Sequence, residues 1–158
     1  SVHTSGELPK VGTKAPDFVL TNAELKDCSL NDFKGKRKLL SIVPSLDTGT
    51  CALSAKKFND AAKQNPNIHI IFISADLPFA QNRVCHADQL ENIATLSMLR
   101  SKAFAEKYGV LLTDGPLAGL AARSVVVLDE NDNVLYTELV EEVTQEPNYQ
   151  KALDALNT

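Results

Sequence analysis

The stretch KLLSIVPSLDTGTC, Lys38–Cys51, places an apolar run directly before a loop and a cysteine. The run KLLSIV is typical of a buried strand. Over residues 50–64 small or apolar side chains recur at helical spacing, and Asn65-Pro66 ends the pattern. These side chains are Cys51, Ala55, Phe58 and Ala62. A second buried strand, IHIIFISA, follows over residues 68–75. This order predicts a right-handed crossover between parallel strands.

The flanking segments complete the predicted order of elements. Residues 17–35 alternate loosely between apolar and polar and predict a peripheral hairpin. Short helices are expected over residues 78–90, which begin with proline, and over residues 101–109, which end in Gly109. Residues 123–140 predict an antiparallel hairpin around ENDN, and residues 147–156 a C-terminal helix. The order is that of an α/β, thioredoxin-like fold: a central mixed β-sheet flanked by helices, with an N-terminal β-hairpin extension and an insertion in the middle.

The length and charge of the chain exclude some classes of function and partner. At 158 residues the chain is expected to form a single domain, 1–158, that buries roughly 70% of its unfolded surface. The net charge is −4, from 16 Lys and Arg against 20 Asp and Glu. The largest basic cluster is KGKRK, residues 34–38, so nucleic acid is not an expected partner. The apolar runs are far shorter than the ~20 residues of a membrane helix, so no membrane partner is expected.

The compartment is inferred from the cysteines and the first residues. Cys28, Cys51 and Cys85 make an odd count at wide spacing, which favours reactive thiols in a reducing compartment over a disulfide scaffold. Residues 1–12 lack the charged start and apolar stretch of a secretory signal. We therefore expect the protein to be cytoplasmic. A periplasmic location is the alternative if a signal peptide has been removed.

The chemistry is expected at Cys51, in the first turn of the predicted helix. Unpaired backbone N–H groups and the helix dipole favour a thiolate there. Disulfide-exchange enzymes of this fold carry a Cys-x-x-Cys motif at this helix start. In this chain the corresponding residues are TGTC, and Thr48 replaces the first cysteine of the motif. A hydroxyl cannot form a disulfide, but it can hydrogen-bond an oxygen-bearing substrate. Thr48 could alternatively serve only as the helix N-cap.

A single thiolate beside a hydroxyl suits attack on an O–O bond, which leaves a sulfenic acid on Cys51. The departing oxygen then needs a cation. Arg123 is the best candidate because it starts the strand expected beside the strand that precedes Cys51, and guanidinium presents several fixed donors. Pro44 would fix the loop over the sulfur, although a proline at such a turn could also be purely structural.

Three separated motifs resemble one family. PSLDTGTC, residues 44–51, matches the Pro-x-x-x-Thr-x-x-Cys signature of peroxiredoxins, and its Ser-x-Asp-Thr core resembles the thiol peroxidase branch, the bacterial atypical two-cysteine type. SADLPFAQNRVC, residues 74–85, is similar to the segment of that branch that carries the resolving cysteine. DGPLAGLAARSVVVLDENDNV, residues 114–134, resembles its arginine-bearing segment. Val84 and His86 depart from the residues usual beside that cysteine.

The resemblance implies a thioredoxin-dependent peroxidase, active as a homodimer, that reduces hydrogen peroxide and alkyl hydroperoxides. It implies that Cys51 is the peroxidatic cysteine and Cys85 the resolving cysteine of the same chain, joined to Cys51 in a redox disulfide. Pro44, Thr48 and Arg123 would complete the site. No cofactor is expected.

The remaining cysteines and histidines have plainer interpretations as well. Cys85 could be a small buried hydrophobe. If it does resolve Cys51, the two helices must partly unwind, because a disulfide needs Cα atoms within ~7 Å. Cys28 has no basic or helix-terminal neighbour and is expected to be structural. The histidines are scattered, so no metal site is expected.

Two other functions compete with a peroxidase. A disulfide reductase or isomerase needs Cys-x-x-Cys and a proline before the strand at Ser124, and both are absent from the sequence. A non-catalytic binding module or holdase would leave Cys51 inert towards hydrogen peroxide.

Overall fold

A computed structural model describes residues 2–140 and 145–157 of the chain, and within these ranges seven strands form one mixed sheet. The strands are β1 (Leu20–Thr21), β2 (Asp27–Cys28), β3 (Arg37–Ile42), β4 (Ile68–Ser74), β5 (Ala94–Ser97), β6 (Ser124–Leu128) and β7 (Val134–Leu139). The helices are α1 (Gly49–Gln64), α2 (Pro78–Ala87), α3 (Ala103–Lys107) and α4 (Tyr149–Asn157), and a short 3-10 helix covers Leu30–Phe33. Across the sheet the order is β2-β1-β5-β4-β3-β6-β7.

The predicted crossover lies at the centre of this sheet. Strands β3 and β4 are parallel and paired over their length, with α1 between them in sequence. On the other side of β3, β6 runs antiparallel and places Ser124 opposite Ile42. The two predicted hairpins, β1–β2 and β6–β7, are also present. The end of β3 and the start of β6 therefore meet at one edge of the sheet.

One strand was missing from the sequence-based order. Strand β5, with the sequence ATLS, lies between α2 and α3 and pairs parallel with β4. It is short and half polar, so it shows neither an apolar run nor clear alternation. Its polar side chains are nonetheless buried, and the Ser97 hydroxyl donates to the carbonyl oxygen of Asp76. Tertiary pairing, rather than local preference, makes this segment a strand.

Two apolar layers cover the sheet. Helices α1 and α4 pack on one face, and their shared cluster includes Cys51, Phe58 and Leu156. Helix α3 and the N-terminal segment cover the other face, where Phe104 stacks on Tyr108. Burial of both faces explains why the central strands read as continuous apolar runs. No helix within the described ranges has the length and apolar character needed to span a membrane.

Candidate active site

Cys51 is the third residue of α1 and is completely buried. Strand β3 ends at Ile42, and a loop of six residues, 43–48, connects it to the helix. In the first turn of a helix the backbone N–H groups lack intrahelical partners and the dipole is positive, so an anionic sulfur is favoured there. The position predicted from the sequence is therefore the observed one.

Thr48 is the N-cap of α1, as the simpler interpretation of this residue predicted. Its Oγ1 accepts a hydrogen bond from the backbone N–H of Cys51 at 3.4 Å and donates to the carbonyl oxygen of Ser45 at 3.4 Å. Both contacts are long, and the side chain is exposed. A capping hydroxyl that faces solvent beside the cysteine remains available to hydrogen-bond a bound oxygen.

Arg123 directly contacts the sulfur. Its Nη1 donates to Cys51 Sγ at 2.8 Å, and the arginine is only 4% exposed. Pairing of β6 with β3 brings the two residues together across 72 positions of sequence. The backbone N–H of Val140 donates to the Arg123 carbonyl and fixes this end of the strand. A buried cation against a buried sulfur strengthens their electrostatic interaction, because little water screens it.

Pro44 is buried in the loop between β3 and α1, two residues after the strand ends. A proline there fixes φ and removes one backbone donor from a loop that packs against the core. Its proposed shielding of the sulfur remains a prediction.

Cys85 lies near the C-terminal end of α2 and is half-buried. Its side chain packs against the apolar cluster that contains Cys51, so it has the surroundings of a small hydrophobe. Burial raises the pKa of Cys85, and the charge of Asp88 raises that pKa further. The three cysteines are all free thiols.

Cys28 has surroundings that suppress reactivity. It is buried in β2, and burial raises its pKa to about 11, with the charge and the hydrogen bond of Asp32 acting in the same direction. A thiol of this kind holds almost no thiolate at neutral pH.

A tyrosine behind the active-site helix was not anticipated. Tyr149 Oη lies 2.9 Å from Ser54 Oγ and donates to Glu146 Oε1 at 2.7 Å. Burial raises the pKa of Tyr149 to about 12; the Ser54 hydrogen bond opposes this rise, and Glu146 adds to it. The tyrosine therefore stays neutral and joins α4 to α1 one turn beyond Cys51. The only local signal was Ser54, a polar residue on the buried face of α1.

A carboxylate beside the loop was missed as well. Asp76, between β4 and α2, accepts hydrogen bonds from Ser45 Oγ at 2.7 Å and from the backbone N–H of Leu46 at 2.8 Å. Its sequence signal is an acidic residue two positions before the proline that opens α2. The partners lie 31 and 30 positions away, which no local pattern could indicate.

Together these residues form a thiol site suited to nucleophilic chemistry. A sulfur at a helix N-terminus, a guanidinium against it and a hydroxyl beside it can stabilise a thiolate and a departing oxygen anion. Within the described ranges no three His, Cys, Asp or Glu side chains come together as a metal-binding group. The fold and the site define a thioredoxin-like oxidoreductase centred on one cysteine.

Comparison with known proteins identifies the family. The redoxin family model matches residues 10–153. A thiol peroxidase of Corynebacterium glutamicum is 51% identical over 154 residues, which cover 98% of this chain and 93% of that protein. The crystal structure of a peroxiredoxin-like protein from Aquifex aeolicus superposes with a TM-score of 0.92 at 36% identity, covering 99% of this chain and 91% of that one. For a thiol peroxidase from Chromobacterium violaceum the TM-score is 0.89 at 28% identity, with coverage of 96% and 88%.

The chain therefore belongs to the redoxin family, in its thiol peroxidase branch. The predicted thioredoxin-like fold of the peroxiredoxin type is confirmed, and the chain is a peroxidase.

Proposed function

We propose that the protein reduces hydrogen peroxide and alkyl hydroperoxides at Cys51. The observation that carries this proposal is the 2.8 Å contact between Arg123 Nη1 and Cys51 Sγ at the start of α1. The thiolate attacks the terminal oxygen of the hydroperoxide, so an S–O bond forms while the O–O bond breaks. The departing alkoxide or hydroxide takes up a proton and leaves as alcohol or water. Cys51 is thereby oxidised to a sulfenic acid.

The neighbouring residues are assigned to this step. Arg123 holds the thiolate and, as charge moves onto the departing oxygen, stabilises that charge. The Thr48 hydroxyl orients the hydroperoxide beside the sulfur. Pro44 keeps the loop packed and limits the access of water to the sulfenic acid.

We assign Cys85 to the second step. Its thiolate attacks the sulfur of the sulfenic acid, so an S–S bond forms while the S–O bond breaks, and the departing hydroxide takes up a proton and leaves as water. The support is its place on α2, at the edge of the cluster that contains Cys51. Because both thiols start on folded helices, the first turn of α1 and part of α2 must unwind before the sulfurs meet within one chain.

The rest of the cycle follows from the family. Thioredoxin would reduce the Cys51–Cys85 disulfide and return two thiols, without a cofactor bound to this chain. We further propose that the chain acts as a homodimer, that residues 1–158 form a single domain, and that it works in the cytoplasm, with the periplasm as the alternative.

Three cysteine variants test the proposed function. Cys51→Ser should abolish peroxide consumption, because a serine hydroxyl is not ionised at neutral pH and cannot replace the thiolate. Cys85→Ser should consume one equivalent of peroxide and then stop cycling with thioredoxin. Its stranded sulfenic acid should over-oxidise, which is visible as two added oxygens on the Cys51 peptide. Cys28→Ser is the matched control and should behave as the wild type.

Peptide mapping of the oxidised wild type without reductant tests the resolution step. A Cys51–Cys85 link within one chain is the expected result. A link through Cys28, or between two chains, would contradict that step. Full peroxide turnover in Cys51→Ser would contradict the function itself, and a Cys51 inert to peroxide would favour the binding module.

A further inference from the structure

Asp76 connects the loop before Cys51 to the segment that leads into α2. Its carboxylate accepts three hydrogen bonds: from Ser45 Oγ at 2.7 Å to Oδ1, and from the Leu46 N–H at 2.8 Å and Ser74 Oγ at 2.7 Å to Oδ2. The carboxylate is therefore shared by two elements. Ser45 and Leu46 belong to the loop that leads into α1, whereas Ser74 ends β4.

Hydrogen bonds within the loop connect Asp76 to Cys51. The hydroxyl oxygen of Ser45, which donates to Asp76, also accepts from the Asp47 N–H at 3.1 Å. The Ser45 carbonyl in turn accepts from Thr48 Oγ1, and the same Thr48 oxygen caps the Cys51 N–H. Three successive hydrogen bonds thus lead from the carboxylate to the first turn of α1.

Asp76 is also close in sequence to α2, the helix that carries Cys85. Asp76 lies two residues before Pro78, the first residue of α2, and Cys85 is on the same helix. Fully buried Gln81 fixes that helix, because its Nε2 donates to Ser74 Oγ at 3.0 Å and to the Leu96 carbonyl at 2.9 Å. The N-terminal half of α2 is therefore anchored to the same serine that Asp76 contacts.

We propose that Asp76 is a positioning residue: it holds the Cys51 loop against the base of the Cys85 helix in the arrangement that reacts with peroxide. This inference rests on the proposed function. None of the hydrogen bonds of the Asp76 carboxylate reaches the sulfur, so it would act through Ser45 and Leu46. Hydrogen bonds to a charged acceptor are the stronger kind in proteins, so this carboxylate is well suited to hold a loop.

The two chemical steps place opposite demands on this contact. Attack on peroxide needs the first turn of α1 folded, with Cys51 against Arg123. Disulfide formation needs that turn unwound. Loss of Asp76 should therefore slow sulfenic acid formation and leave disulfide formation unchanged or faster. A general loss of stability would not affect the two rates in opposite directions.

The test measures both steps in Asp76→Ala by rapid quench, trapping of thiols and mass spectrometry. Misplacement of a reacting group by about 1 Å can cost about 100-fold in rate. We expect sulfenic acid formation to fall by about 10-fold or more for this less direct change. The ratio of disulfide formation to sulfenic acid formation should rise, and over-oxidation of Cys51 at high peroxide should fall. Asp76→Asn, which keeps one acceptor oxygen, should recover most of the first-step rate.

Ser97→Ala is the matched control. The Ser97 hydroxyl donates to the backbone carbonyl of Asp76, so this variant loosens the same segment without touching the Cys51 loop. It should lose stability and keep the first-step rate within about twofold. Ser45→Ala removes one of the two loop donors to the Asp76 carboxylate and should slow the first step, which keeps the test available if Asp76→Ala does not fold.

The results separate this inference from the proposed function. A wild-type first-step rate in folded Asp76→Ala, or in Ser45→Ala if the former does not fold, would overturn the inference, as would equal slowing in Ser97→Ala. In those cases the wild type still consumes peroxide through Cys51. A wild type that consumes none would overturn the proposed function, and the inference with it.

Discussion

Replacement of Arg123 by alanine tests the feature that carries the proposed function. The guanidinium lies 2.8 Å from Cys51 Sγ and is 4% exposed, so water cannot easily take its place. A hydrogen bond to a charged group contributes about 1.5–3 kcal/mol net, and loss of one preorganised donor to a transition state costs about 2.7–4 kcal/mol. At 1.36 kcal/mol for each tenfold change, peroxide reduction should slow by about 10²–10³.

The assay must follow the thiol directly. The chain has no tryptophan, so fluorescence offers no convenient signal from this site. Rapid quench with a thiol-alkylating reagent, followed by mass spectrometry of the Cys51 peptide, gives the rate of thiol loss against peroxide concentration. Thermal unfolding of each variant shows whether it is folded at the assay temperature.

Two further variants make the test specific. Arg123→Lys keeps a positive charge but lacks the fixed fork of donors, so its rate should lie between those of wild type and alanine. Arg100→Ala removes an exposed arginine that pairs with Asp27 on the surface, and it should react like the wild type. A folded Arg123→Ala that reacts within about threefold of wild type would refute the assigned role, because that factor is under 1 kcal/mol.

Three other predictions follow from the geometry. Thr48→Val should slow peroxide reduction strongly in the same assay while Thr48→Ser should have a mild effect; a near-normal rate in Thr48→Val would reduce this residue to a helix cap. Because burial and Asp88 raise the pKa of Cys85, disulfide formation should speed up as pH rises, and Asp88→Asn should shift that profile to lower pH; an unshifted profile would exclude the Asp88 effect. Asp132→Asn leaves the ammonium of Lys38, which is 0% exposed, without its carboxylate partner and should lower the free energy of unfolding by about 3 kcal/mol in urea. Lys38→Met should cost less, since Asp132 is 20% exposed.

The sequence was informative about the fold wherever burial imposed a simple pattern. Strands β3, β4 and β6 are covered on both faces, so they are apolar runs of strand length. Three of the four residues of strand β5 are buried as well, but its Ser97 hydroxyl finds hydrogen-bond partners there: it donates to the Asp76 carbonyl and accepts from the Leu99 N–H. Polar residues that are satisfied only in the folded state carry no hydrophobic signal, which is why this strand was not predicted.

The residues of the site likewise fall into those that the sequence predicted and those that it did not. Cys51 and Thr48 were recognisable because a helix start gives a local reason for both, and Arg123 because strand pairing predicted its neighbour. Asp76 and Tyr149 act through partners 30 to 95 positions away. Such contacts depend on the packing of loops and helices, which leaves no periodic trace in the sequence.

The first turn of α1 must satisfy two conflicting requirements, and its contacts reflect both. Attack on peroxide needs this turn folded, with the buried Cys51 against Arg123, whereas disulfide formation needs the turn unwound. The Thr48 hydroxyl makes two long hydrogen bonds at this turn, each 3.4 Å, and residues 47–49 are exposed, while the Ala52 N–H donates to the Thr48 carbonyl at 2.9 Å. Exposed residues and long side-chain hydrogen bonds lower the free energy needed to open a segment locally. The short hydrogen bonds of Asp76, at 2.7 and 2.8 Å, bind Ser45 and Leu46, which precede this turn in the loop. The opening can therefore stay confined to the turn that carries the cysteine while the loop beneath it keeps its place.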